Sequence, residues 1–403
     1  MKYVVIGPTL SGNKGAAAMF VSTVQTLSDK DSEFVLFSYY PNQDKKINNF
    51  ENTKVINAKP LRLALVIVPL AMLWRILPPL RRHIEKVDVI KQLSEANVYL
   101  DQGGITFSDG RELFLIYNVA TILPAIFMKV PIVKCAQALG PFKNPINKLV
   151  SKIFLPRIKT IVARGEVTKA NLDQLKLKNV VLGTDIAFMM NRPGAEEKRL
   201  AEKNFKLSKF LKGEKLVVGI SPSIVVKKKV TKQGLDHDKL IADIVKRQLE
   251  KGRKVILIPH SYRTGTEKLH NNDGPLVDKI AKMVDSPDLL SIDKEIGPME
   301  LKYIIGQCDA FLACRFHAMI SSLSMAVPTL VLGWSHKYAE ILDLFGYKNL
   351  AMDFSGISVD SVTKKLDKVV AQRKKMHKKM SNNLSRVKKL SRLHIKVIKE
   401  AAR

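Results

Sequence analysis

The segment CDAFLACRFHAMISSLSMAVPTLVLG, residues 308–333, has the pattern of a strand, a helix and a second strand in succession. Its opening residues, CDAFLAC, and its closing residues, TLVLG, are short apolar runs typical of buried strands. Between them, AMISSLSMAVP predicts a helix of small residues that ends at Pro328. Because parallel strands need such a crossover helix, the segment favours an α/β fold.

The same alternation runs through the rest of the chain. Apolar runs followed by loop or helix patterns are KYVVIG, EFVLFS, ANVYL, PIVKCAQ, TIVA and NVVLG in the first half, and LVVGIS and KVILIPH in the second. The polar, charged stretch 191–215 interrupts the pattern. We therefore predict two Rossmann-like domains that face a cleft, residues 1–195 and residues 196–350, and a basic helical tail, residues 351–403, that packs back on the body.

Composition limits the classes of partner. The 403 residues carry a formal net charge of +30, which suits an anionic partner such as a membrane surface, nucleic acid or a phosphorylated substrate. The three cysteines lack the spacing of a metal site, so we predict no metal and a reducing, cytoplasmic environment. The N-terminal residues do not resemble a signal peptide, and no apolar stretch is long enough to predict a transmembrane helix.

Two basic segments each allow two interpretations. Residues 61–82 combine aliphatic side chains, Trp74 and arginines, which is typical of an interfacial segment, but a buried helix between domains explains the apolar part equally well. The tail has apolar residues at helical spacing and a basic opposite face. It is either a solvated helix packed on the body or a contact with an anionic membrane surface.

Arg315 and His317 lie where a buried strand is predicted to turn into a helix. The N-terminus of a helix carries partial positive charge and unpaired N–H groups, and an arginine adds a full charge. Histidine is the side chain that changes its charge near neutral pH. The alternatives are an arginine that bridges two domains and a histidine hydrogen-bonded in the core, but burying either group without a function is costly. We therefore predict an anion-binding pocket here.

Further candidates follow other predicted strands, where ligands bind in open α/β sheets. GPTLSGNKG lacks the Lys-Ser/Thr ending of a phosphate-binding P-loop. The amides around Asn13 and Gly15 could still hold an anion or a carbonyl, or the glycines could simply form a tight turn. In DQGGITFSD, Gly103 and Gly104 would let the backbone approach a ligand, and Asp101 could act as a base.

Arg164 and His260 also end predicted strands. An arginine there suits bidentate binding of a carboxylate or phosphate, with a surface salt bridge to Glu166 as the alternative. A lone histidine at a strand end is more often structural than catalytic. With His317 and His336, however, His260 would place three histidines on one rim of the sheets.

Several of these segments together resemble the polysaccharide pyruvyl transferase family, over roughly residues 5–350. They are LSGNKGAAAM, DQGGITFSD, QALGPF, VARGE, VVLGTDIAF and CRFHAMISSLSMAVPTLVLGWSHKY. The resemblance implies a two-domain fold of the GT-B type and transfer of pyruvate from phosphoenolpyruvate to two hydroxyls of a cell-envelope sugar, as a ketal. It implies that the Arg-x-His pair, Arg315 and His317, binds phosphoenolpyruvate and takes part in catalysis.

We predict that His317 protonates the enol, and that Arg315, Arg164 and Lys337 bind the anion. Asp101 or His260 would be the base for the hydroxyl, and no cofactor is required. The acceptor is a sugar, lipid-linked in one version, which would place the protein at the inner face of the cytoplasmic membrane. The alternatives are a GT-B glycosyltransferase or sugar-nucleotide epimerase, and a non-catalytic basic protein that binds membranes or nucleic acid. We expect no nucleic acid, because no recognised binding module is present.

Overall fold

The chain forms two compact units, each built from more than one stretch of sequence. The computed structural model describes residues 1–264, 271–333, 336–354 and 356–403, except for the side chain of His336. Unit 1 comprises Met1–Ser11, Met19–Met190 and Lys388–Arg403, and unit 2 comprises Gly12–Ala18 and Asn191–Val387.

Short, mostly buried strands alternate with helices along the described chain. The strands are β1 (Lys2–Ile6), β2 (Gly12–Asn13), β3 (Glu33–Ser38), β4 (Thr53–Asn57), β5 (Val98–Asp101), β6 (Ile132–Gln137), β7 (Thr160–Arg164), β8 (Val180–Gly183), β9 (Val217–Ser221), β10 (Lys254–Leu257), β11 (Ser261–Tyr262), β12 (Leu289–Ser291), β13 (Ala310–Ala313), β14 (Thr329–Leu332) and β15 (Ala351–Met352).

The α-helices connect these strands. They are α1 (Lys14–Leu27), α2 (Pro41–Ile47), α3 (Pro60–Arg62), α4 (Val68–Ile76), α5 (Arg81–Ile84), α6 (Asp88–Ser94), α7 (Leu115–Ala120), α8 (Leu123–Phe127), α9 (Pro145–Phe154), α10 (Glu166–Asp173), α11 (Ala195–Phe205), α12 (Leu207–Leu211), α13 (Ile224–Thr231), α14 (His237–Glu250), α15 (Gly274–Val284), α16 (Pro298–Gly306), α17 (Phe316–Ser324), α18 (His336–Leu344), α19 (Val359–Ala371) and α20 (Arg373–Ala402).

Shorter helical turns complete the secondary structure. A π-helical turn, Leu63–Ile67, joins α3 to α4. The 3-10 turns are Pro78–Leu80, Glu112–Phe114, Leu155–Arg157, Ile186–Met189 and Lys348–Leu350.

Unit 1 contains a seven-stranded parallel sheet in the order β4-β3-β1-β5-β6-β7-β8. Alternate side chains of each strand point to opposite faces, so the sheet has two apolar cores. Val4 and Ile6 of β1 belong to one core, which also includes residues of α4, α7 and α8. Tyr3 and Val5 belong to the other core, which α1 and the end of α20 cover.

Unit 2 contains a six-stranded parallel sheet in the order β12-β10-β9-β13-β14-β15. The strands β9, β10, β13 and β14 are buried along their whole length, as expected for a parallel sheet covered on both faces. A separate two-stranded antiparallel ladder pairs β2 with β11. The α/β class predicted from the strand–helix alternation is therefore present in both units.

The division of the chain differs from the predicted continuous ranges. The first unit ends at Met190 and the second begins at Asn191, close to the predicted boundary at 195. Gly12–Ala18 nevertheless belongs to unit 2, because β2 hydrogen-bonds to β11. The last residues, Lys388–Arg403, belong to unit 1, because their apolar side chains complete one face of its sheet. The tail is therefore divided between the two units at Lys388.

No helix in the described ranges has the length and apolar character needed to cross a membrane.

Candidate functional site

The strand order of the unit 2 sheet reverses between β9 and β13. The strands β14 and β15 follow β13 on one side, whereas β10 and β12 lie on the other side of β9. Ligands of open α/β sheets bind at such a reversal, beyond the carboxyl ends of the strands. Ser221, the last residue of β9, is opposite Ala313 of β13, and Arg315 follows two residues later. The Ser221 hydroxyl is buried and has no hydrogen-bond partner among the described residues.

Arg315 is oriented by a buried carboxylate. Its Nε donates to Oδ2 of Asp273 at 2.8 Å, and one terminal nitrogen donates to Oδ1 at 2.6 Å. The other terminal nitrogen donates to Oδ1 of Asn271 at 2.8 Å. The Asp273 carboxylate also accepts the backbone N–H groups of Ile224 and Ser261. Sequence reasoning missed Asp273, whose position before α15 suggests only a helix cap.

The charge of Arg315 is consequently balanced by that of Asp273. The side chain of Arg315 is 14% exposed and that of Asp273 is fully buried. A bidentate pair of this kind fixes the plane of the guanidinium. Three of the five N–H groups of an arginine are used here, which leaves two for other acceptors.

The start of α17 carries Arg315 and His317, and Lys337 lies close to it. Arg315 is the residue before the first turn, in an extended conformation, and His317 is the second residue of the helix. The ring of Phe316 packs edge-on against His317 at 5.2 Å and against Tyr338 at 5.6 Å. The Nζ of Lys337 lies 4.8 Å from the centre of the Phe316 ring.

The glycine-rich segment after β1 contacts this helix start. Gly12 has a φ of +71°, and the guanidinium of Arg263 lies against it. A Cβ on Gly15 would lie 2.3 Å from the Cγ and Nδ1 atoms of His317, so the imidazole is in contact with the Gly15 backbone. The side chain of Asn13 accepts the Gly15 N–H at 3.1 Å. Asn13 thereby caps the start of α1, and ligand binding by the amides of Asn13 and Gly15 stays a prediction.

Lys14 forms a second buried ion pair that sequence reasoning missed. Its side chain is 2% exposed, and its Nζ donates to Glu295 Oε1 at 2.7 Å. The Gly12 N–H donates to the same oxygen at 2.8 Å. Burial acts to raise the pKa of Glu295, but Lys14 and the Gly12 N–H outweigh burial and hold that pKa below its usual range. The sequence feature that could have indicated this pair is a lysine between Gly12 and Gly15 at the start of an apolar helix.

His260 follows β10 and is buried at the same end of the sheet. Its carbonyl accepts the Lys14 N–H at 3.2 Å, and its Nε2 lies 3.4 Å from the hydroxyl of Ser321. Burial, followed by the positive charges of His317, Arg315 and Lys14, lowers the pKa of His260 well below its ordinary value. His260 is therefore a weak base, which argues against its predicted role. The side chain of the third predicted histidine, His336, lies outside the described residues.

In unit 1, Asp101 lies at the corresponding reversal of strand order, between β1 and β5. Its carboxylate forms a buried ion pair with Lys134. It also accepts a hydrogen bond from the Gln137 side chain at 2.7 Å and from the Gly103 N–H at 2.9 Å. These three donors hold the carboxylate inside the sheet, which gives Asp101 a structural role and argues against its predicted use as a base.

Arg164 was predicted to bind an anion, but its side chain is held by groups inside unit 1. Its guanidinium pairs with Asp185 at 3.1 Å and donates to the carbonyl of Gly104 at 3.0 Å. The partner is thus Asp185, and the surface pair with Glu166 considered as the alternative is not the one observed. The Gly103 backbone packs against Gly7, where a Cβ would lie 2.6 Å from the Gly103 nitrogen. These contacts assign Arg164, Gly103 and Gly104 to the framework of the sheet.

Comparison with known proteins gives both a family and a fold. The sequence matches the family described as Polysaccharide pyruvyl transferase over residues 13–336, which confirms the resemblance seen in its motifs. The fold is similar to that of the UDP-GlcNAc 2-epimerase from Neisseria meningitidis, with a TM-score of 0.63, 12% identity, and coverage of 99% of this chain and 100% of that one.

Two further solved structures have the same fold. A glycosyltransferase from Rickettsia africae has a TM-score of 0.56 and 11% identity, with 99% and 98% of the two chains covered. The UDP-GlcNAc 2-epimerase from Methanocaldococcus jannaschii has a TM-score of 0.53 and 14% identity, with 92% of each chain covered. The predicted GT-B type is confirmed, and at these identities the likeness concerns the fold alone.

Proposed function

We propose that the chain, which belongs to the polysaccharide pyruvyl transferase family, transfers pyruvate from phosphoenolpyruvate to two hydroxyls of a cell-envelope sugar. The products are a pyruvyl ketal and inorganic phosphate. The observation that carries the proposal is the start of α17, where Arg315 is held by Asp273 beside His317 at the reversal of strand order.

Phosphoenolpyruvate has a phosphate and a carboxylate, so its site needs several donors of positive character. The first turn of α17 supplies backbone N–H groups and the positive end of a helix dipole. Arg315 retains two N–H groups beyond those used by Asp273 and Asn271. Lys337 adds a cation beside Phe316. We assign these groups to the two anionic ends of the donor.

The proposed reaction begins with proton transfer from the His317 imidazolium to the methylene carbon of phosphoenolpyruvate. The adjacent carbon becomes electrophilic, and one sugar hydroxyl adds to it and loses its proton. The second hydroxyl then displaces phosphate and loses its proton, which closes the ketal. One proton enters the new methyl group and two leave the hydroxyls. One of these two restores the His317 imidazolium, and the departing phosphate takes up the other. Histidine suits this role because it changes its charge near neutral pH.

The proposal retains Arg315, His317 and Lys337 and gives up Asp101, His260 and Arg164 as groups that act on the substrate. Asp101 and Arg164 are buried in ion pairs, and the pKa of His260 is lowered by burial and by neighbouring positive charge. We place the donor in unit 2 and assign the acceptor to unit 1.

The first experiment measures thermal unfolding with phosphoenolpyruvate and with a panel of nucleotide sugars. A ligand at about 100 times its dissociation constant stabilises by about 2.7 kcal/mol, which is readily measured. We expect phosphoenolpyruvate to stabilise the wild type and Arg253→Ala, a matched control whose arginine pairs with Asp367 elsewhere in unit 2. Arg315→Ala should lose this ligand-induced shift, whatever its own unfolding temperature.

Two results would contradict the proposal. Stabilisation by nucleotide sugars alone would favour a glycosyltransferase or epimerase, the activities named for the structural neighbours. If His317→Ala released phosphate from phosphoenolpyruvate at the wild-type rate, with envelope saccharide as acceptor, the assignment of the acid would be wrong.

A further inference from the structure

A long stripe of apolar side chains is exposed between β4 and α5 of unit 1. It consists of Leu61, Leu65, Pro69, Met72 and Ile76. These residues are three or four positions apart, so they lie along one side of the helical segment. Leu61 and Leu65 are 75% and 72% exposed. The opposite side of the same segment, Leu63, Ile67 and Ala71, is fully buried in the core of the unit.

Helix α9 exposes apolar residues along one side, although Val150 and Phe154 on another side pack against the core. Its exposed residues include Ile146, Leu149 and Ile153, which are three and four positions apart. Its buried residues are the polar side chains of Asn147 and Ser151. A surface helix normally turns its apolar residues to the core, because burial of each such side chain stabilises the fold. Ile146, Leu149 and Ile153 are 64%, 60% and 40% exposed, so much of their apolar surface gains no such burial among the described residues.

A third exposed apolar group, Leu113, Phe114 and Ile116, stands between these two segments in the chain. The carboxylate of Asp109 accepts the backbone N–H groups of Lys143 and Asn144 and a side-chain N–H of Asn147. These bonds attach the start of α9 to the loop that carries the third group.

The three groups are concentrated on one face of unit 1. The helical segments 60–76, 115–127 and 145–157 all contribute side chains to the same core on that face of the sheet. Of the 19 large apolar side chains that are exposed in the described part of the chain, 13 lie within residues 61–80, 113–116 and 146–153. We call these 13 side chains the apolar surface. Patches of this kind mark a site of interaction.

The charges beside the parts of the apolar surface in residues 61–80 and 146–153 are almost all basic. Residues 59–86 and 143–159 contain six and five lysines and arginines, respectively, and Glu85 is their only acidic residue. One of these basic groups, the guanidinium of Arg81, lies 4.3 Å from the centre of the Trp74 ring. Aliphatic groups, an indole and a surplus of basic groups together match the interface of an anionic bilayer.

We infer that this face of unit 1 docks on the surface of an anionic lipid bilayer. A second copy of the chain is a poor occupant, because a two-fold contact would oppose the same 11 basic residues to each other. Nucleic acid would match the charge but not so many exposed aliphatic side chains. The inference does not depend on the reaction proposed above. Its consequence is that the enzyme works where a lipid-carried acceptor would be found.

The test is sedimentation of the full chain with vesicles of phosphatidylcholine, alone or mixed with phosphatidylglycerol. We expect binding to the mixed vesicles at low ionic strength and weaker binding as salt rises. Leu65→Gln with Ile76→Gln, and Leu149→Gln with Ile153→Gln, should each lower the partition coefficient by about tenfold or more. The matched control is Leu235→Gln with Met283→Gln, two exposed apolar residues of unit 2, which should bind as the wild type does.

Three outcomes would overturn the inference. The first is no binding to the mixed vesicles at low salt, and the second is a control variant that loses as much binding as the surface variants. The third is a wild-type dimer, measured by light scattering, that the surface variants dissociate, because the apolar surface would then be a contact between copies. Stabilisation by phosphoenolpyruvate is measured separately in the absence of lipid, so failure here leaves the proposed function standing.

Discussion

Gly15 determines where the imidazole of His317 can lie. The ring occupies the space in which any larger residue would place its Cβ, 2.3 Å from two ring atoms. Nothing near Gly15 in the sequence indicates this contact, since GNKG has the appearance of an ordinary tight turn. The function of this glycine is therefore close approach to a catalytic candidate some 300 residues away in the chain.

We predict that Gly15→Ala displaces His317 and greatly reduces the stabilisation by phosphoenolpyruvate. Overpacking of this kind costs about 1–3 kcal/mol of unfolding free energy. The control is Gly297→Ala in the same unit, because a Cβ there has no atom within 4 Å and the backbone φ is −69°. Thermal unfolding with and without the ligand measures both effects. Equal behaviour of the two variants would show that the ring position is not set by Gly15.

At the scale of elements, α20 illustrates how a highly basic helix is nevertheless anchored. Its buried residues include Met376, Met380 and Val387, which lie at helical spacing in the sequence. Further along, the hydroxyl of Ser391 donates to the carbonyl of Asp185 at 2.8 Å. His394 is fully buried, with its Nδ1 2.9 Å from the Ser391 carbonyl. The last residues of the helix complete the apolar core shared with α1.

We predict that the end of α20 makes stability depend on pH. Burial is the main cause that lowers the pKa of His394 below its ordinary value. The unfolded chain then binds a proton below about pH 6.5 more readily than the folded chain does. Stability is therefore greatest above that pH and falls as the pH is lowered.

The measurement is urea unfolding between about pH 7.5 and about pH 5, an interval that covers the range in which histidine titrates. His394→Gln should reduce the pH dependence, and His377→Gln, an exposed histidine on the same helix, should not. Some dependence will remain in His394→Gln, because the lowered pKa of His260 acts in the same direction. Identical slopes for all three proteins would contradict the prediction.

On the scale of the whole molecule, neither unit is a continuous piece of chain. Unit 1 depends on Lys388–Arg403 for one face of its sheet, and unit 2 contains Gly12–Ala18 from the other end of the sequence. Val397 and Ile398 are among the side chains that unit 1 would lack without the tail. Fully burying such a side chain contributes about 1.5–3 kcal/mol, so the dependence is substantial.

We therefore predict that residues 1–190 alone unfold at a lower temperature than the intact chain and bind a dye specific for exposed apolar surface. The matched control is the same fragment with residues 388–403 joined to its end through a flexible linker, which should recover much of the loss. Calorimetry and dye fluorescence measure the two effects. If fragment 1–190 were as stable as its fused form, the assignment of the tail to unit 1 would be wrong.

The sequence by itself determined the alternation of strands and helices, the α/β class, the family and the placement of Arg315 and His317 at a helix start. These features are local, because periodicity, proline and glycine act over a few residues. Only the tertiary structure decided which charges meet. Arg315 pairs with Asp273, 42 residues earlier, and Arg164 pairs with Asp185 inside the sheet. Ion pairs depend on distance in space, and the fold sets that distance without leaving a pattern in the neighbouring residues.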